Sequence, residues 1–160
     1  MIKGIIMAGG LGTRLYPTTK VINKHLLPIF NKPLIFYPLS VLLLSGVKNI
    51  LIITKKEDYG NFKKLLNDGS HLGVKISYKF QKKPGGIPEG ITLSEDFIGK
   101  DKFIFALGDN IFFGEKFSKI LENIQNFKHG CVLFTSRVND PKRFGILYKD
   151  KKNNLKKIVE

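Results

Sequence analysis

Short apolar runs alternate along the chain with stretches in which apolar residues recur every three or four positions. The first pattern is typical of buried strands, and the second is typical of helices that cover a sheet with one face. Two polar-flanked apolar runs near the end are expected to form strands on either side of a turn. The patterns predict strands over 2–7, 49–54, 74–80, 102–109, 131–136, 144–148 and 155–159, and helices over 33–46, 57–69, 88–97 and 115–127.

The order of these elements indicates the fold class. Strands that alternate with helices predict an α/β fold with a mainly parallel, Rossmann-like sheet, helices on both of its faces and a final β-hairpin. In sheets of this kind, ligands bind beyond the carboxyl ends of the strands. Three polar or glycine-rich segments directly follow predicted strands, namely Ala8–Arg14, Gln81–Gly86 and Gly108–Asn110. We therefore expect these segments to gather at one edge of the sheet.

The distribution of charge narrows the choice of ligand. The formal net charge is +14, yet only 3 of the 27 cationic residues are arginine. Proteins that read DNA or RNA favour arginine for its bidentate fork, so we expect no nucleic-acid partner. The first carboxylate along the chain is Glu57, and the residues before it carry cations only. That asymmetry favours a site for a small polyanion.

Cysteine content and hydropathy exclude several classes of protein. The single cysteine, Cys131, excludes a disulfide framework and a thiolate metal cluster, and its apolar neighbours predict a buried strand position. The longest apolar run falls far short of the roughly 20 residues that span a bilayer. The first residues do not have the pattern of a secretion signal. We expect a cytoplasmic protein with no membrane partner.

The segment "MAGGLGTRLYPTTKVINKHLLP" at 7–28 is the strongest candidate for an anion-binding loop. Gly9, Gly10 and Gly12 lack a Cβ, so their backbone N–H groups can approach a ligand closely. Arg14 adds a forked, permanent positive charge, and Lys24 adds a second charge. The spacing matches neither the P-loop nor the Rossmann fingerprint. A glycine-rich turn without a ligand is the alternative interpretation.

Two further polar residues follow predicted strands. The carboxylate of Asp109 suits Mg²⁺, which prefers one or two carboxylates together with phosphate oxygens and water. The alternative is an aspartate that caps a helix or a turn. The amide of Gln81 can both donate and accept, which suits the edge of a nucleobase, and the alternative is an ordinary loop glutamine. The three histidines share no metal spacing, so we assign them no chemistry.

Several longer motifs occur together in this chain. The motif G-G-x-G-T-R-L-x-P at 9–17 is followed by "KHLLP" at 24–28, and then by "LNDGSHLGVKISYKFQ", "SEDFIG", "LGDNIFFG" and "DPKRFGIL". In content, order and spacing these motifs resemble the sugar-1-phosphate nucleotidylyltransferases, and among them the enzymes that use dTTP and glucose 1-phosphate. The resemblance extends over essentially all 160 residues. The segment "GIPEG" at 86–90 departs from the family's commoner G-[LI]-A-[QE]-A.

The resemblance implies an activity and a role for each motif residue. A phosphate oxygen of glucose 1-phosphate would attack the α-phosphorus of dTTP, giving dTDP-glucose and pyrophosphate, with Mg²⁺ as the cofactor. Arg14 and Lys24 would be catalytic, Arg14 at the departing pyrophosphate and Lys24 at the phosphates in transfer, while Asp109 would bind the metal. The implied nucleotide-binding residues are Met7, Ala8, Gly9, Gly10, Gly12, Thr13, Gln81 and Gly86, and the implied sugar-binding residues are Gly145 and Glu160.

The resemblance also divides the chain into two functional parts. Residues 1–136 would form a nucleotide-binding core, and residues 137–160 would begin an incomplete sugar-binding part. The sequence stops at Glu160, before the Lys-Pro of the family's I-x-E-K-P motif and before its second metal-binding aspartate. We therefore expect impaired turnover, and a homo-oligomer in which the final strands pair with another copy. The alternative function is a non-catalytic nucleotide-binding fragment or half that needs a partner segment.

Overall fold

A computed structural model describes the chain except for residues 83–84, 115–116, 125, 128–129, 141–143, 153 and 160. The chain divides into two compact units, residues 1–127 and residues 128–160. The first unit contains a four-stranded sheet and its helices, and the second contains a two-stranded hairpin. Each unit is described by itself below.

The first unit is built on a parallel sheet. Its strands are β1 (Ile2–Met7), β4 (Asn49–Thr54), β5 (Lys75–Phe80) and β6 (Lys102–Leu107), and a short antiparallel pair, β2 (Pro28–Ile29) and β3 (Lys32–Pro33), lies outside it. The order across the sheet is β5-β4-β1-β6, and every neighbouring pair in it is parallel. Strand β1 is therefore central and pairs on both sides.

Helices connect these strands, as the apolar spacing predicts. They are α1 (Phe36–Leu44), α2 (Tyr59–Leu66), α3 (Gly86–Leu93), α4 (Glu95–Ile98) and α5 (Phe117–Ile124), and single 3-10 turns occur at Thr13–Leu15, Thr18–Lys20, Lys24–Leu26 and Ser70–Leu72. The segment predicted as one helix over 88–97 is two helices, which meet at Ser94. The Ser94 hydroxyl donates to the carbonyl of Gly90, 2.7 Å away. The carbonyl of Gly90 lies four residues before Ser94 in the chain. A bond of this kind from a side chain to the backbone competes with the regular backbone hydrogen bonds of a helix.

Alternation along the strands directs apolar side chains to both faces of the sheet. On one face Ile6, Ile50 and Ile52 pack with Leu39 and Leu42 of α1 and Phe62 and Leu66 of α2. On the other face Ile5, Leu51 and Ile53 pack with Leu93 of α3 and with Phe97 and Ile98 of α4. The predicted α/β fold with helices on both faces is confirmed.

The carboxyl ends of the strands are joined by backbone hydrogen bonds that continue the sheet into its loops. The amide of Ala8 donates to the Ile53 carbonyl at 2.7 Å, and the amide of Gly108 donates to the Met7 carbonyl at 2.9 Å. The amide of Gln81 donates to the Thr54 carbonyl at 2.9 Å. The segments that begin at Ala8, Gln81 and Gly108 therefore all start at the carboxyl edge of the sheet, as expected.

The second unit contains the predicted final hairpin. Strands β7 (Ile146–Lys149) and β8 (Leu155–Val159) pair in antiparallel register, with Leu147 opposite Ile158. The turn between them is held by Asp150, whose carboxylate accepts hydrogen bonds from the amides of Lys152 and Asn154 at 2.9 Å each. The polar "DKKNN" segment therefore closes the hairpin by side chain–backbone pairing, as turn-forming residues do.

One predicted strand is wrong. Residues 131–138 form no strand or helix, and they are exposed. Cys131, predicted to be buried, is exposed as well. An apolar run has the composition of a strand, but a strand exists only where a neighbour supplies hydrogen bonds along its backbone. Among the described residues, no strand pairs with this run.

The boundary between the compact units reflects packing density and falls after Phe127. The division between a nucleotide-binding core, residues 1–136, and a sugar-binding part, residues 137–160, concerns function, and it stays a prediction. Within the described part of the chain, no helix is long and apolar enough to cross a membrane.

Close packing of α1 on β1 makes Gly4 sensitive to any side chain. A Cβ at Gly4 would lie 2.7 Å from Cδ1 of Leu42, which is fully buried. We expect Gly4→Ala to lower the free energy of unfolding by about 1–3 kcal/mol through overpacking. Gly60→Ala is the matched control, because Gly60 lies on α2 with nothing within 4 Å.

We expect Gly60→Ala to raise the free energy of unfolding by about 0.5–1 kcal/mol, since alanine is the better helix former. Urea denaturation of both variants measures the two changes. A fall of equal size at both positions would contradict the close packing of α1 against the sheet.

Candidate functional site

The loop after β1 turns back sharply over the end of the sheet. Gly12 has a φ of 65°, in the left-handed region that glycine adopts most readily. Its carbonyl accepts a hydrogen bond from the Thr19 hydroxyl at 2.7 Å and from the Leu15 amide at 2.9 Å. These bonds hold Gly9–Thr13 as a defined loop above the strand end.

Lys24 and Asp109 meet across this loop. The Lys24 side chain passes Gly10, where a Cβ would lie 3.5 Å from both its Cε and its Nζ. Its Nζ then reaches Oδ2 of Asp109 at 2.5 Å, a pair separated by 85 positions along the chain. The two side chains are 21% and 38% exposed, respectively. The lysine and the carboxylate that the sequence predicts for phosphate and metal thus share one place, open to solvent.

The electrostatic environment keeps Asp109 ionised. Partial burial alone raises the pKa of its carboxyl, but the hydrogen bond and the charge of Lys24 outweigh burial, so that the pKa lies below its usual value. An ionised carboxylate is the form that binds a cation. Within the described residues, no three His, Cys, Asp or Glu side chains form a metal-binding group. Asp109 is the carboxylate at this loop that suits magnesium.

Two buried neighbours fix the backbone of Lys24. Asn23 Nδ2 donates to the Ala8 carbonyl at 3.2 Å and to Asp58 Oδ2 at 2.6 Å. Because both partners only accept, the amide orientation of Asn23 is determined, and its Oδ1 faces the other way. That oxygen accepts from the His25 amide at 2.9 Å and lies 2.7 Å from His25 Nδ1. The Nδ1 atom of His25 therefore carries the proton.

His25 fills the space beneath Asp109. It is 1% exposed, and a Cβ on Gly108 would lie 2.6 Å from its Cδ2 and 2.9 Å from the Met7 carbonyl. Gly108 therefore allows the end of β6 to approach both the imidazole and β1. Burial and the charge of Lys24 lower the pKa of His25 to about 4, against the opposing charges of Asp109 and Asp58. The imidazole of His25 is therefore neutral, and it packs beneath Asp109 without adding a buried charge.

Gln81 lies at the end of β5 and is 3% exposed. A Cβ on Gly9 would overlap its Oε1, so that the glutamine lies directly against the glycine loop. Its Nε2 donates to Oε2 of Glu89, which also accepts from the Gly85 amide at 2.7 Å. Gly86, with a φ of 75°, is exposed at the start of α3. Of the residues predicted to recognise the base, Gln81 thus lies beside the glycine loop.

The other predicted residues fall into three groups. Met7 is the last residue of β1, and Ala8, which follows it at the start of the loop, is fully buried. Thr13 and Arg14 lie in the exposed 3-10 turn that follows the glycines. Gly145 is exposed in the second unit, and Glu160 lies outside the described residues.

A cleft of about 980 Å³ opens beside Gln81. It lies between residues 19–23, the loop 55–58 and the strand end 80–82. Its charged lining residues are Lys20, Lys55, Lys56, Lys82, Glu57 and Asp58. Cations outnumber carboxylates in this lining, which extends the positive character of the edge.

The family model for nucleotidyl transferases matches residues 3–160 of this chain. The chain belongs to the nucleotidyl transferase family. A glucose-1-phosphate thymidylyltransferase of Neisseria meningitidis is 49% identical over 146 residues, which cover 91% of this chain and 51% of that protein. The corresponding protein of Mycobacterium tuberculosis is 42% identical over 146 residues, which cover 91% of this chain and 50% of that protein.

Solved structures agree with this membership of the nucleotidyl transferase family. A crystal structure of a candidate glucose-1-phosphate thymidylyltransferase from Bacillus anthracis, in complex with sucrose, matches with a TM-score of 0.91 at 41% identity. The match covers 100% of this chain and 64% of that chain. The chain spans about half the length of the curated relatives it matches. The resemblance drawn from the motifs is confirmed.

Sequence reasoning missed the residues that support the predicted ones. Asn23 and His25 flank Lys24, yet their partners Ala8 and Asp58 lie 15 and 35 positions from Asn23, respectively. The positions of Asn23 and His25 on either side of Lys24 are only a weak signal of a supporting role, because buried and more exposed residues alternate in many loops. Glu89 had a better signal, since it lies within the "GIPEG" segment next to predicted Gly86.

The buried imidazole makes stability depend on pH. In the unfolded chain His25 binds a proton near pH 6.5, whereas in the folded chain it does so only near pH 4. Between these values the unfolded state binds more protons, so stability falls as the pH falls. We expect this group alone to lower the free energy of unfolding by on the order of 3 kcal/mol across that interval.

Urea denaturation at several pH values tests this expectation. His25→Gln should flatten the dependence between pH 6.5 and 4, while His71→Gln, in an exposed turn, should leave it unchanged. An unaltered slope in His25→Gln would contradict a buried, neutral imidazole.

Proposed function

We propose that this chain binds dTTP with Mg²⁺ and transfers its thymidylyl group to glucose 1-phosphate, giving dTDP-glucose and pyrophosphate. The meeting of Lys24 Nζ with Asp109 Oδ2 at 2.5 Å carries the proposal, because it unites a phosphate-binding cation and a metal-binding carboxylate at a glycine loop. Membership of the nucleotidyl transferase family supports the reaction type. Relatives named glucose-1-phosphate thymidylyltransferase support the two substrates.

The reaction is a phosphoryl-type displacement at the α-phosphorus of dTTP. A phosphate oxygen of glucose 1-phosphate forms the new P–O bond, and the bond to the bridging β-phosphate oxygen breaks. Its electron pair leaves on pyrophosphate. Chemistry of this kind needs positioning and charge neutralisation more than covalent assistance. The backbone N–H groups of Gly9–Thr13 hold the triphosphate, while Lys24 neutralises the phosphates in transfer and Arg14 the departing pyrophosphate.

The residues at the site fit magnesium. Asp109 would hold the cation through its ionised carboxylate, since Mg²⁺ prefers one or two carboxylates together with phosphate oxygens and water. When bound, Mg²⁺ supplies positive charge to the phosphate oxygens as a Lewis acid. Nζ of Lys24 pairs with Oδ2 of Asp109. Lys24 therefore exchanges the aspartate for a phosphate oxygen when the nucleotide binds. This exchange releases the Asp109 carboxylate from Lys24 when the substrate binds.

Base and sugar recognition complete the proposal. Gln81, Gly86 and the end of β1 at Met7–Gly9 contact the base, beside the loop that holds the phosphates. Gly145 and Glu160 contact the sugar, in the part of the chain that follows residue 136. A homo-oligomer formed through the final hairpin belongs to the same proposal.

Nucleotide binding without transfer is the second candidate function. The residues proposed to hold dTTP and its metal all lie in the first compact unit, whereas those proposed for the sugar do not. The first unit can therefore bind the nucleotide whether or not the sugar side is complete. The two functions require different experiments.

Calorimetry with dTTP, with and without Mg²⁺, tests the binding half of the proposal. We expect dTTP to bind more tightly in the presence of Mg²⁺, because both the triphosphate and the Asp109 carboxylate would be ligands of the cation. Exchange of labelled pyrophosphate into dTTP in the presence of dTDP-glucose tests transfer. Binding together with exchange supports the transferase, and binding without exchange supports the second candidate. Absence of dTTP binding at millimolar concentration would exclude both.

Arg14 should contribute to binding through charge-assisted hydrogen bonds to phosphate. We expect Arg14→Ala to weaken Mg²⁺–dTTP binding by roughly 10- to 100-fold, since such bonds contribute about 1.5–3 kcal/mol. Lys64→Ala is the matched control, because it removes one positive charge from the exposed side of α2. Calorimetric titration of both variants separates a local contact from the general effect of net charge. Equal losses in both would show that Arg14 has no specific role.

A further inference from the structure

A second gathering of positive charge lies at the carboxyl edge of the sheet, outside the glycine loop. It surrounds the cleft of about 980 Å³ that opens between residues 19–23, the loop 55–58 and the strand end 80–82. Proteins commonly bind small molecules in clefts of roughly 300–1,000 Å³. Within the described part of the chain, Arg14, Lys24 and Asp109 are not among the residues that line it. The residues proposed for phosphate transfer therefore leave this cleft without an assigned ligand.

Positive charge exceeds negative charge in the lining of the cleft. Its lysines and carboxylates are Lys20, Lys55, Lys56, Lys82, Glu57 and Asp58. Nζ of Lys55 lies 3.5 Å from Oδ2 of Asp58, so these two charges largely balance each other. Lys56 and Lys82 are exposed, and neither forms an ion pair with a described carboxylate. Like charges that converge on one cleft raise the local concentration of anions.

The aromatic wall of the cleft lies on the other side of the sheet from the predicted base-recognition residues. Phe80 packs edge-on against Tyr59 of α2, with ring centroids 5.3 Å apart. The next residue, Gln81, instead donates to Glu89 of α3. Side chains alternate along a strand, and α2 and α3 cover opposite faces of the sheet. A ligand that packs on Phe80 therefore occupies the α2 side.

Exposed apolar side chains complete the lining of the cleft. Phe80 is 42% exposed, and Val21 and Ile22 are 83% and 44% exposed, respectively. The contact with Tyr59 already orders the Phe80 ring, so little freedom is lost when a ligand packs on it. A cleft that combines ammonium groups with exposed aromatic surface suits an organic anion with a ring better than a bare inorganic anion.

We propose that this cleft is a second ligand site, which binds a small organic polyanion that contains an aromatic ring. Anionic groups of the ligand pair with the ammonium groups of Lys56 and Lys82, and its ring packs against Phe80. The site needs none of the residues assigned to dTTP, glucose 1-phosphate or Mg²⁺. The inference therefore goes beyond the proposed function and is tested separately from it.

Calorimetric titration of the whole chain with pyranine tests the charged part of the site, because this probe is a pyrene ring that carries sulfonate groups and no nucleobase. We expect Lys56→Gln/Lys82→Gln to weaken pyranine binding by roughly tenfold or more, since two charge-assisted contacts are lost. Lys64→Gln/Lys75→Gln is the matched control, which removes the same charge from exposed positions on α2 and at the start of β5. The control should weaken binding less than about threefold, through net charge alone.

A second substitution tests the aromatic part of the site. Phe80→Leu keeps an apolar side chain but removes the ring. We expect it to weaken pyranine binding by roughly threefold or more, since ring packing is lost. Inorganic sulfate, which has charge but no ring, should bind the unmodified chain at least about tenfold more weakly than pyranine, because it lacks the ring contact and carries less charge.

The outcomes separate this inference from the proposed function. The site is overturned if the unmodified chain does not bind pyranine at millimolar concentration, or if both double-lysine variants weaken binding equally. Unchanged affinity in Phe80→Leu also overturns it, and if that variant does not fold, the lysine variants decide. Complete displacement of pyranine by dTTP with Mg²⁺ would show one shared site, so that the inference fails while nucleotide binding stands. Pyranine binding that persists at saturating dTTP, or in a chain that binds no dTTP, supports a separate site.

Discussion

Parallel pairing of β1 on both of its edges is the constraint on which the rest of the structure depends. Because β4 and β6 run in the same direction as β1, the loops that leave all three strands start at one edge of the sheet. The bonds from Ala8 to Ile53 and from Gly108 to Met7 extend that pairing one residue beyond the strands. Residues far apart in sequence are thereby brought within the length of one side chain. A lysine on one loop can neutralise an aspartate on another.

Charge at this edge is arranged in two layers. The outer layer is formed by Lys24 and Asp109, which are partly exposed and paired with each other. The inner layer is formed by Asn23 and His25, which are buried and uncharged, the histidine because burial lowers its pKa to about 4. A neutral inner layer avoids the large penalty of an unpaired buried charge. The outer pair can therefore change partners without exposing a charge in the core.

The gathering of residues at the candidate site could be predicted because topology alone brings its parts together. Strand ends at Met7 and Leu107 place the glycine loop near Asp109 in any parallel sheet of this kind, and no side-chain detail is needed. The Asn23–Asp58 bond could not be predicted, since it depends on how one irregular loop lies over α2. The strand expected over 131–136 failed for a related reason. Periodicity reports which residues are apolar, whereas a strand also requires a neighbour, which only the assembled sheet supplies.

The anchoring of Asn23 and His25 on either side of Lys24 has a consequence for the entropy of binding. Their hydrogen bonds hold the backbone at position 24 before any ligand arrives. Ordering a flexible loop would cost about 1–2 kcal/mol for each residue fixed. Here only the torsions of one side chain lose freedom, at about 0.5–1.5 kcal/mol. The loop is preorganised, so that under the proposed function more of the attraction between the Lys24 ammonium and a phosphate group is available as affinity.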